Sequence, residues 1–196
     1  MKMTFGRLGT GTCAVIATTA MLGSGSARAG DGDQGLPALK PYVGAFAGLH
    51  VVAGNWDIGR EGDRAVAPES GVTYGVRGGL QVTHWFGFEG EIGFVPVNLD
   101  DGQGEGLAMA WGLNTLWSPL DYKLSPYVLL GLGMYQATGS DLGLDADWDF
   151  HWGLGLRTML TDWVDFRIEG RHIVTDSYTS GMASNFSWTL GVEFFL

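Results

Sequence analysis

The chain has 196 residues, 33 glycines and a formal net charge of −10, and aromatic residues make up 12% of it. The excess of acidic residues argues against nucleic acid as a partner. The glycines do not recur at every third position and aromatic residues are plentiful, so neither a collagen helix nor a disordered chain is expected. Short runs in which Gly alternates with Trp, Tyr or Phe favour a single all-β domain.

The first 29 residues have the form of an export signal. Lys2 and Arg7 precede an apolar run over residues 13–22, and small residues at positions 27 and 29 fit a cleavage site. The run has about half of the ~20 residues that a membrane helix needs, which favours cleavage after residue 29 over a retained anchor. The single cysteine, Cys13, lies in this segment, so no disulfide is expected in the mature chain.

Eight later segments alternate between large apolar residues and small or polar ones. This period of two is typical of β-strands with two different faces. Lengths of about 10 to 12 residues fit strands that cross a membrane at a tilt. The segments are residues 42–52, 73–82, 86–97, 106–117, 127–135, 147–160, 164–171 and 186–196.

The last segment has an apolar face throughout, which favours lipid as its surroundings. A soluble eight-stranded barrel of the lipocalin type, the alternative, would turn such residues inward. In a membrane, a sheet must close on itself to satisfy its strand edges. We therefore predict an all-β fold, an eight-stranded antiparallel up-and-down transmembrane β-barrel over residues 41–196. The apolar face consists of Phe186, Trp188, Leu190, Val192, Phe194 and Leu196.

The connections between these strands alternate in length. Short turns follow the second, fourth and sixth strands, beside Trp85, Trp117 and Trp163. Such alternation is typical of outer-membrane barrels, with the termini and the short turns on the periplasmic rim and interfacial aromatic residues forming a girdle. Residues 30–40 would then be a short periplasmic segment. The longer connections, predicted as four extracellular loops, are residues 53–70, 98–105, 137–146 and 175–185.

Three segments resemble the small outer-membrane β-barrel proteins of Gram-negative bacteria, the group that includes the OmpA and OmpX barrels. They are Pro-Tyr-Val-Gly-Ala-Phe-Ala-Gly at residues 41–48, Ser-Pro-Tyr-Val-Leu-Leu-Gly-Leu-Gly at 125–133, and residues 185–196. The resemblance implies an outer-membrane location, contact with lipid and lipopolysaccharide, and periplasmic chaperones and the barrel-assembly machinery as partners during biogenesis. It also implies that the apolar face of the last strand is the assembly signal, although Leu196 stands where the family usually has an aromatic residue.

Charged residues share the other face of several strands. An eight-stranded barrel has an interior just wide enough for side chains, where unpaired charges would be costly. We therefore predict a buried salt-bridge network, and with Arg171 included in the count the positive and negative inward side chains nearly balance. The predicted role is structural, or a surface interaction through the loops. A narrow ion path gated by the same charges is the alternative. The predicted network consists of Arg77, Glu89, Glu91, Arg157, Asp165, Arg167, Glu169 and Glu193.

An acidic segment near the sixth strand resembles a calcium loop only in part. Its aspartates alternate, but Phe150 occupies the glycine position of an EF-hand and Leu156 the position of its bidentate Glu. We predict no dedicated metal site, no cofactor and a monomer. Weak cation binding at the outer rim is an alternative to solvated acidic loops. The side chains that would share a face there are Asp145, Asp147, Asp149 and His151.

An enzymatic function is not predicted. Some barrels that resemble this chain deacylate lipid A with a His, a Ser and a Glu, and His172, Ser177 and Glu193 supply the residue types. The His-x-Ser pair of those enzymes is missing, and His172 shares the face of apolar residues. The Gly-Leu-Gly sequence at residues 131–133 lacks the third glycine and the helix of a nucleotide loop, so we interpret these glycines as packing positions in a strand.

Overall fold

The computed structural model describes residues 39–52, 60–61, 64–68, 70–99, 105–120, 123–138, 147–177 and 181–196. The predicted export signal and most of the predicted periplasmic segment lie outside these ranges. In the described part of the chain, no helix is long and apolar enough to cross a membrane.

The described residues form ten β-strands. They are β1 (Lys40–Val51), β2 (Arg60–Glu61), β3 (Arg64–Pro68), β4 (Gly71–Gln81), β5 (Phe86–Leu99), β6 (Glu105–Trp117), β7 (Leu124–Thr138), β8 (Asp147–Thr161), β9 (Val164–Ser177) and β10 (Gly181–Phe195).

Eight of these strands close into an antiparallel barrel. From β4 to β10 each strand pairs with the next along the chain, and β1 pairs with both β4 and β10. In the closing pair, Tyr42 lies opposite Phe195. The remaining strands, β2 and β3, form a small hairpin, and β3 pairs with the end of β5, where Pro68 lies opposite Val97. The predicted all-β, eight-stranded, up-and-down barrel is confirmed.

The prediction of a loop over residues 175–185 is wrong in its extent. Strand β9 continues to Ser177, and β10 begins at Gly181, which has a positive φ of 85°. The polar residues here belong to the inward face, where the Asn185 amide donates a hydrogen bond to the Thr175 hydroxyl at 3.2 Å. Because a barrel interior is polar, polarity in this segment does not indicate a loop.

Two further predictions of strand limits are corrected. Six of the eight barrel strands have 13 to 15 residues, more than the predicted 10 to 12, whereas β1 and β4 have 12 and 11. The segment predicted as the first long loop, residues 53–70, contains β2 and β3. Most of the added residues extend the sheet at the rim opposite the short turns.

The two faces of the barrel differ sharply in chemistry. Leu113, Leu132 and Trp188 on the outer face are 70%, 62% and 61% exposed, whereas Arg167 and Glu169 inside are 2% and 1% exposed. A soluble protein buries large apolar side chains and keeps charges at its surface. This inverted arrangement suits a barrel surrounded by lipid.

Candidate functional site

Arg167 of β9 lies at the centre of the barrel interior. Its Nη1 donates hydrogen bonds to Glu89 Oε2 at 2.5 Å and to Glu193 Oε1, and its Nη2 donates to Glu169 Oε2 at 2.6 Å. The carboxylates come from β5, β10 and β9, so one guanidinium connects three strands. These side chains are at most 2% exposed, and pairing compensates much of the cost of burying their charges.

Two tyrosines complete the hydrogen bonding around this arginine. The Tyr127 hydroxyl donates to Glu169 Oε2 at 2.5 Å and accepts from Arg167 Nε at 3.0 Å. The Tyr42 hydroxyl donates to Glu89 Oε2 at 2.9 Å. Neither tyrosine was predicted as part of the site.

The tyrosine rings occupy space that glycines leave on the neighbouring strands. Tyr127 lies opposite Gly155 and Tyr42 opposite Gly79 in the strand registers. A Cβ atom built on Gly155 would lie 2.2 Å from the Tyr127 ring, and one on Gly79 would lie 2.4 Å from the Tyr42 ring. An inward Tyr opposite an inward Gly is the sequence signal that identifies these positions once the register is known.

Arg171 continues the charged cluster toward the outer rim. Its Nε donates to Glu169 Oε1, and its Nη1 and Nη2 donate to the two carboxylate oxygens of Glu91, the latter at 2.7 Å. Glu169 is therefore shared by two arginines. Arg171 was counted in the predicted charge balance but left out of the predicted network, and its contacts make it a member.

Arg77 lies farther from the carboxylates of the cluster than Arg167 and Arg171 do. Its Nη1 lies 3.7 Å from Glu169 Oε2 and 3.9 Å from Glu89 Oε1, beyond hydrogen-bond distance. Its guanidinium carbon lies 4.5 Å from the centre of the Phe46 ring, a cation–π contact. We call the seven charged residues of this cluster the central network: Arg77, Glu89, Glu91, Arg167, Glu169, Arg171 and Glu193.

The remaining two predicted residues form a separate pair near the short turns. Arg157 Nε lies 3.5 Å from Asp165 Oδ2, and the Arg157 side chain is 22% exposed. The structure therefore brings six of the eight predicted charged residues into the central network and leaves Arg157 and Asp165 apart from it.

Asp149 and His151 were candidate ligands in the alternative of weak cation binding at the outer rim, and the structure places both side chains inside the barrel. They are 6% and 4% exposed. His151 Nδ1 contacts Asp149 Oδ1, and His151 Nε2 lies 2.6 Å from Asn114 Oδ1. Asp145 lies outside the described residues, within which no group of three or more His, Cys, Asp or Glu side chains could hold a metal ion.

The described residues line two small cavities along the barrel interior. The outer one, of about 40 Å³, is lined by Glu91, Arg171 and His151, and the other, of about 20 Å³, by Arg157 and Arg167. A water molecule needs roughly 10–15 Å³ measured in this way. Each cavity therefore has room for a few waters at most, and the central network lies between them.

A family model described as the outer membrane protein beta-barrel domain matches residues 17–194 of the chain. The chain belongs to the outer membrane protein β-barrel family. Its location is accordingly the outer membrane.

Three solved structures of outer-membrane barrels are similar to this family member in fold. Neisserial surface protein A has 13% identity and a TM-score of 0.57 over 79% of this chain and 96% of its own. The amino-terminal barrel of Pseudomonas aeruginosa OprF has 15% identity and a TM-score of 0.53, with 80% of this chain and 97% of its own covered. AlkL has 14% identity and a TM-score of 0.54, with 86% of this chain and 95% of its own covered. Comparison with curated protein sequences gives no match.

The three tryptophans predicted as a girdle lie at the short-turn rim of this family member. Trp85 and Trp117 meet edge to face with ring centres 5.9 Å apart, and Trp163 stacks on Phe194 at 6.0 Å. The three are 44%, 51% and 57% exposed. Indole rings at this height suit the boundary between lipid tails and headgroups.

The residues that could have formed a lipid A deacylase site are not brought together. His172 lies on the outer face between Trp152 and Phe186, with ring centres 5.6 and 4.8 Å away, whereas Glu193 faces the interior. The side chain of Ser177 lies outside the described residues. The predicted alternative of His172, Ser177 and Glu193 as a catalytic set therefore lacks its acid.

A different serine contacts this histidine. His172 Nε2 lies 2.6 Å from Ser184 Oγ. Its Nδ1 is buried, with no hydrogen-bond partner in the described part of the chain. The pair lies on the outer face beside Trp152 and Phe186, apart from the inward-facing Glu193.

Proposed function

We propose that the protein is a plugged outer-membrane barrel with a structural and surface-interaction role. The observation that carries this proposal is the position of Arg167, whose hydrogen bonds reach Glu89 on β5, Glu169 on β9 and Glu193 on β10. A guanidinium that is hydrogen-bonded to carboxylates of three strands occupies the interior and links the strands of the wall. The barrel then serves as a rigid support for what lies outside the membrane.

The connections predicted as four extracellular loops are the segments expected to make any specific interaction. Loops on a rigid scaffold vary and bind, whereas the scaffold itself is constrained by packing. The proposed partners are outer-membrane lipid and lipopolysaccharide at the barrel wall, and periplasmic chaperones and the assembly machinery during biogenesis. The protein acts as a monomer without a cofactor, and the first 29 residues are removed on export.

A narrow ion path is the second candidate, and the two water-sized cavities on either side of the central network favour it. Rearrangement of Arg167 toward one side would be needed to connect them. Ion paths lined by charged side chains conduct only if an ion can enter and also leave. The shared use of Glu169 by two arginines opposes such a rearrangement, because moving either one leaves a buried carboxylate undercompensated.

Planar-bilayer recording separates the two functions. The wild-type protein is expected to show no discrete conductance steps. Discrete steps that disappear in Glu89→Gln or Arg167→Gln would contradict the plug and support the ion path. Arg157→Gln is the matched control, because its side chain lies outside the central network.

Gene deletion tests the role at the surface. We expect altered adhesion, serum resistance or envelope integrity, restored by the complete protein but not by a barrel with shortened outer loops. Mass spectrometry of lipid A from the same strains tests the enzymatic alternative, for which an unchanged acylation pattern is expected. Full complementation by the loop-shortened barrel would contradict the proposed surface interaction.

A further inference from the structure

A chain of polar side chains connects the outer cavity with the central network. It begins at Asp149, whose Oδ1 contacts His151 Nδ1. His151 Nε2 lies 2.6 Å from Asn114 Oδ1, and Asn114 Nδ2 donates to Glu89 Oε1 at 3.3 Å. Glu89 in turn accepts from Arg167. We call Asp149, His151 and Asn114 the lumen relay.

The orientation of the Asn114 amide follows from its neighbour on the inner side. An ionised carboxylate can only accept hydrogen bonds, so the amide nitrogen must face Glu89. The amide oxygen therefore faces His151, and it too can only accept. This assignment rests on hydrogen-bond chemistry at both ends of the side chain.

Both ring nitrogens of His151 consequently face acceptors. On one side lies the carboxylate of Asp149, and on the other the amide oxygen of Asn114. A neutral imidazole has one N–H donor and can satisfy only one of them, whereas an imidazolium donates to both. We infer that His151 is a proton-binding site of the lumen, held as an imidazolium between Asp149 and Asn114, and that its proton sets the hydrogen bonding of Glu89.

The surroundings support a positive charge at this position. The other titratable groups that line the same cavity are Glu91 on β5, Arg171 on β9, His50 on β1 and Tyr135 on β7. Arg171 and Glu91 are already paired with each other. Arg171 is thus committed to Glu91 and Glu169, whereas Asp149 contacts His151, so an imidazolium at His151 would compensate the Asp149 carboxylate.

Glycines on β7 make room for the relay. A Cβ atom on Gly131 would lie 2.4 Å from His151 Nε2 and 2.2 Å from Asn114 Oδ1, and one on Gly133 would lie 2.2 Å from Asp149 Oδ2. The Gly-Leu-Gly sequence at residues 131–133 therefore has a definite role. It leaves space for this group of polar side chains, which any larger residue would displace.

Loss of the proton changes more than one residue. Without the second proton, one ring nitrogen of His151 faces an acceptor with no hydrogen between them. Turning the Asn114 amide would relieve its contact with His151 but would place the amide oxygen against Glu89 Oε1, in place of the present hydrogen bond. The unfavourable contact between two acceptors is therefore transferred along the relay to Glu89. Glu89 also binds Arg167 and Tyr42 through Oε2, so the change reaches the central network.

Nitrogen NMR of the purified full-length mature protein in lipid nanodiscs tests this inference, with ¹⁵N in the histidine rings and in the asparagine and arginine side chains. The pH is varied between about 5 and 8, where ordinary imidazoles titrate. We expect both His151 nitrogens to give the protonated signature at the acidic end. As this proton is lost, the Asn114 amide and the Arg167 signals should shift together with it. His84, exposed in a short turn, is the internal control.

Variants make the result specific. Asp149→Asn removes the carboxylate that faces Nδ1 and should weaken the doubly protonated signature of His151 relative to wild type. Asn114→Ser, which can accept from His151 but not reach Glu89 in the same way, should uncouple the Arg167 signals from the His151 titration. Heat-modifiable migration on gels verifies that each variant forms a closed barrel.

Two results would overturn the inference. One is a neutral His151 ring at every pH in this range in the wild-type protein. The other is loss of the His151 proton without any accompanying change at Asn114. Both outcomes concern the lumen alone, so they are distinguishable from a failure of the proposed surface role.

Discussion

Arg167 and Glu89 are 78 positions apart in the chain, and their side chains meet at 2.5 Å in the middle of the barrel. Arg167→Gln should therefore destabilise the barrel by about 3–5 kcal/mol, because it leaves buried carboxylates without their cation. Urea unfolding in detergent micelles, followed by tryptophan fluorescence, measures the change.

Arg157→Gln is the control for that measurement, since Arg157, whose side chain is 22% exposed, pairs with Asp165 and not with the central network. The expected loss is below about 1 kcal/mol. Equal losses in the two variants would mean that position inside the barrel, rather than contact with Glu89, Glu169 and Glu193, determines the effect.

Ionic strength should separate the same two pairs. At about 1 M salt the screening length falls to roughly 3 Å, which weakens exposed ion pairs but hardly affects buried ones. The stability difference between wild type and Arg167→Gln is expected to be unchanged by salt, whereas the difference for Arg157→Gln should shrink. Unfolding curves at low and high salt measure both differences. A strong salt dependence of the Arg167 effect would show that water and ions reach the central network.

Tyr127 and Gly155 should be coupled energetically. Gly155→Ala places a methyl group where the Tyr127 ring lies, so this variant should be clearly less stable than wild type. In a Tyr127→Ala background the same change should cost little, since the nearest atoms to the new methyl group all belong to that ring. A double-mutant cycle of unfolding free energies measures the coupling. Additive effects would contradict the direct contact.

The outer wall should tolerate charge only near its edge. Leu190, five residues before the end of β10, is 52% exposed toward lipid. Leu190→Arg is expected to cost about 2–4 kcal/mol, and Met182→Arg, near the other end of the strand, about 0–1 kcal/mol. Unfolding in lipid vesicles is the appropriate measurement, because detergent weakens the difference. Similar costs at both positions would contradict a membrane in which Leu190 lies near the centre and Met182 near the edge.

The sequence was sufficient to predict the barrel because the two faces of each strand differ in chemistry. The apolar face of β10, from Phe186 to Phe194, alternates in exposure as predicted, and Glu193 is buried. Arg167 and Glu169 are separated by two positions on one strand, so their shared face follows from the period alone. These features need no knowledge of which residues lie opposite one another.

What the sequence did not predict depends on register and on the tilt of the strands. Tyr127 joins Glu169 although 42 positions separate them, and alternation specifies only that both point inward. His151 and Asn114 meet for the same reason. The end of β9 was missed because inward Thr and Asn residues resemble loop composition. A period of two identifies a face, whereas contacts across the lumen require the geometry of the closed ring.

The partners of Arg167 impose an order on folding. Its carboxylates come from β5, β9 and β10, and β5 lies across the seam between β1 and β10 from the other two strands. No hairpin of neighbouring strands can assemble that set by itself. We therefore expect the charges to remain hydrated while strands are added and to lose their water when the sheet curls far enough to bring β5 opposite β9 and β10, so that release of water from the interior accompanies closure of the barrel.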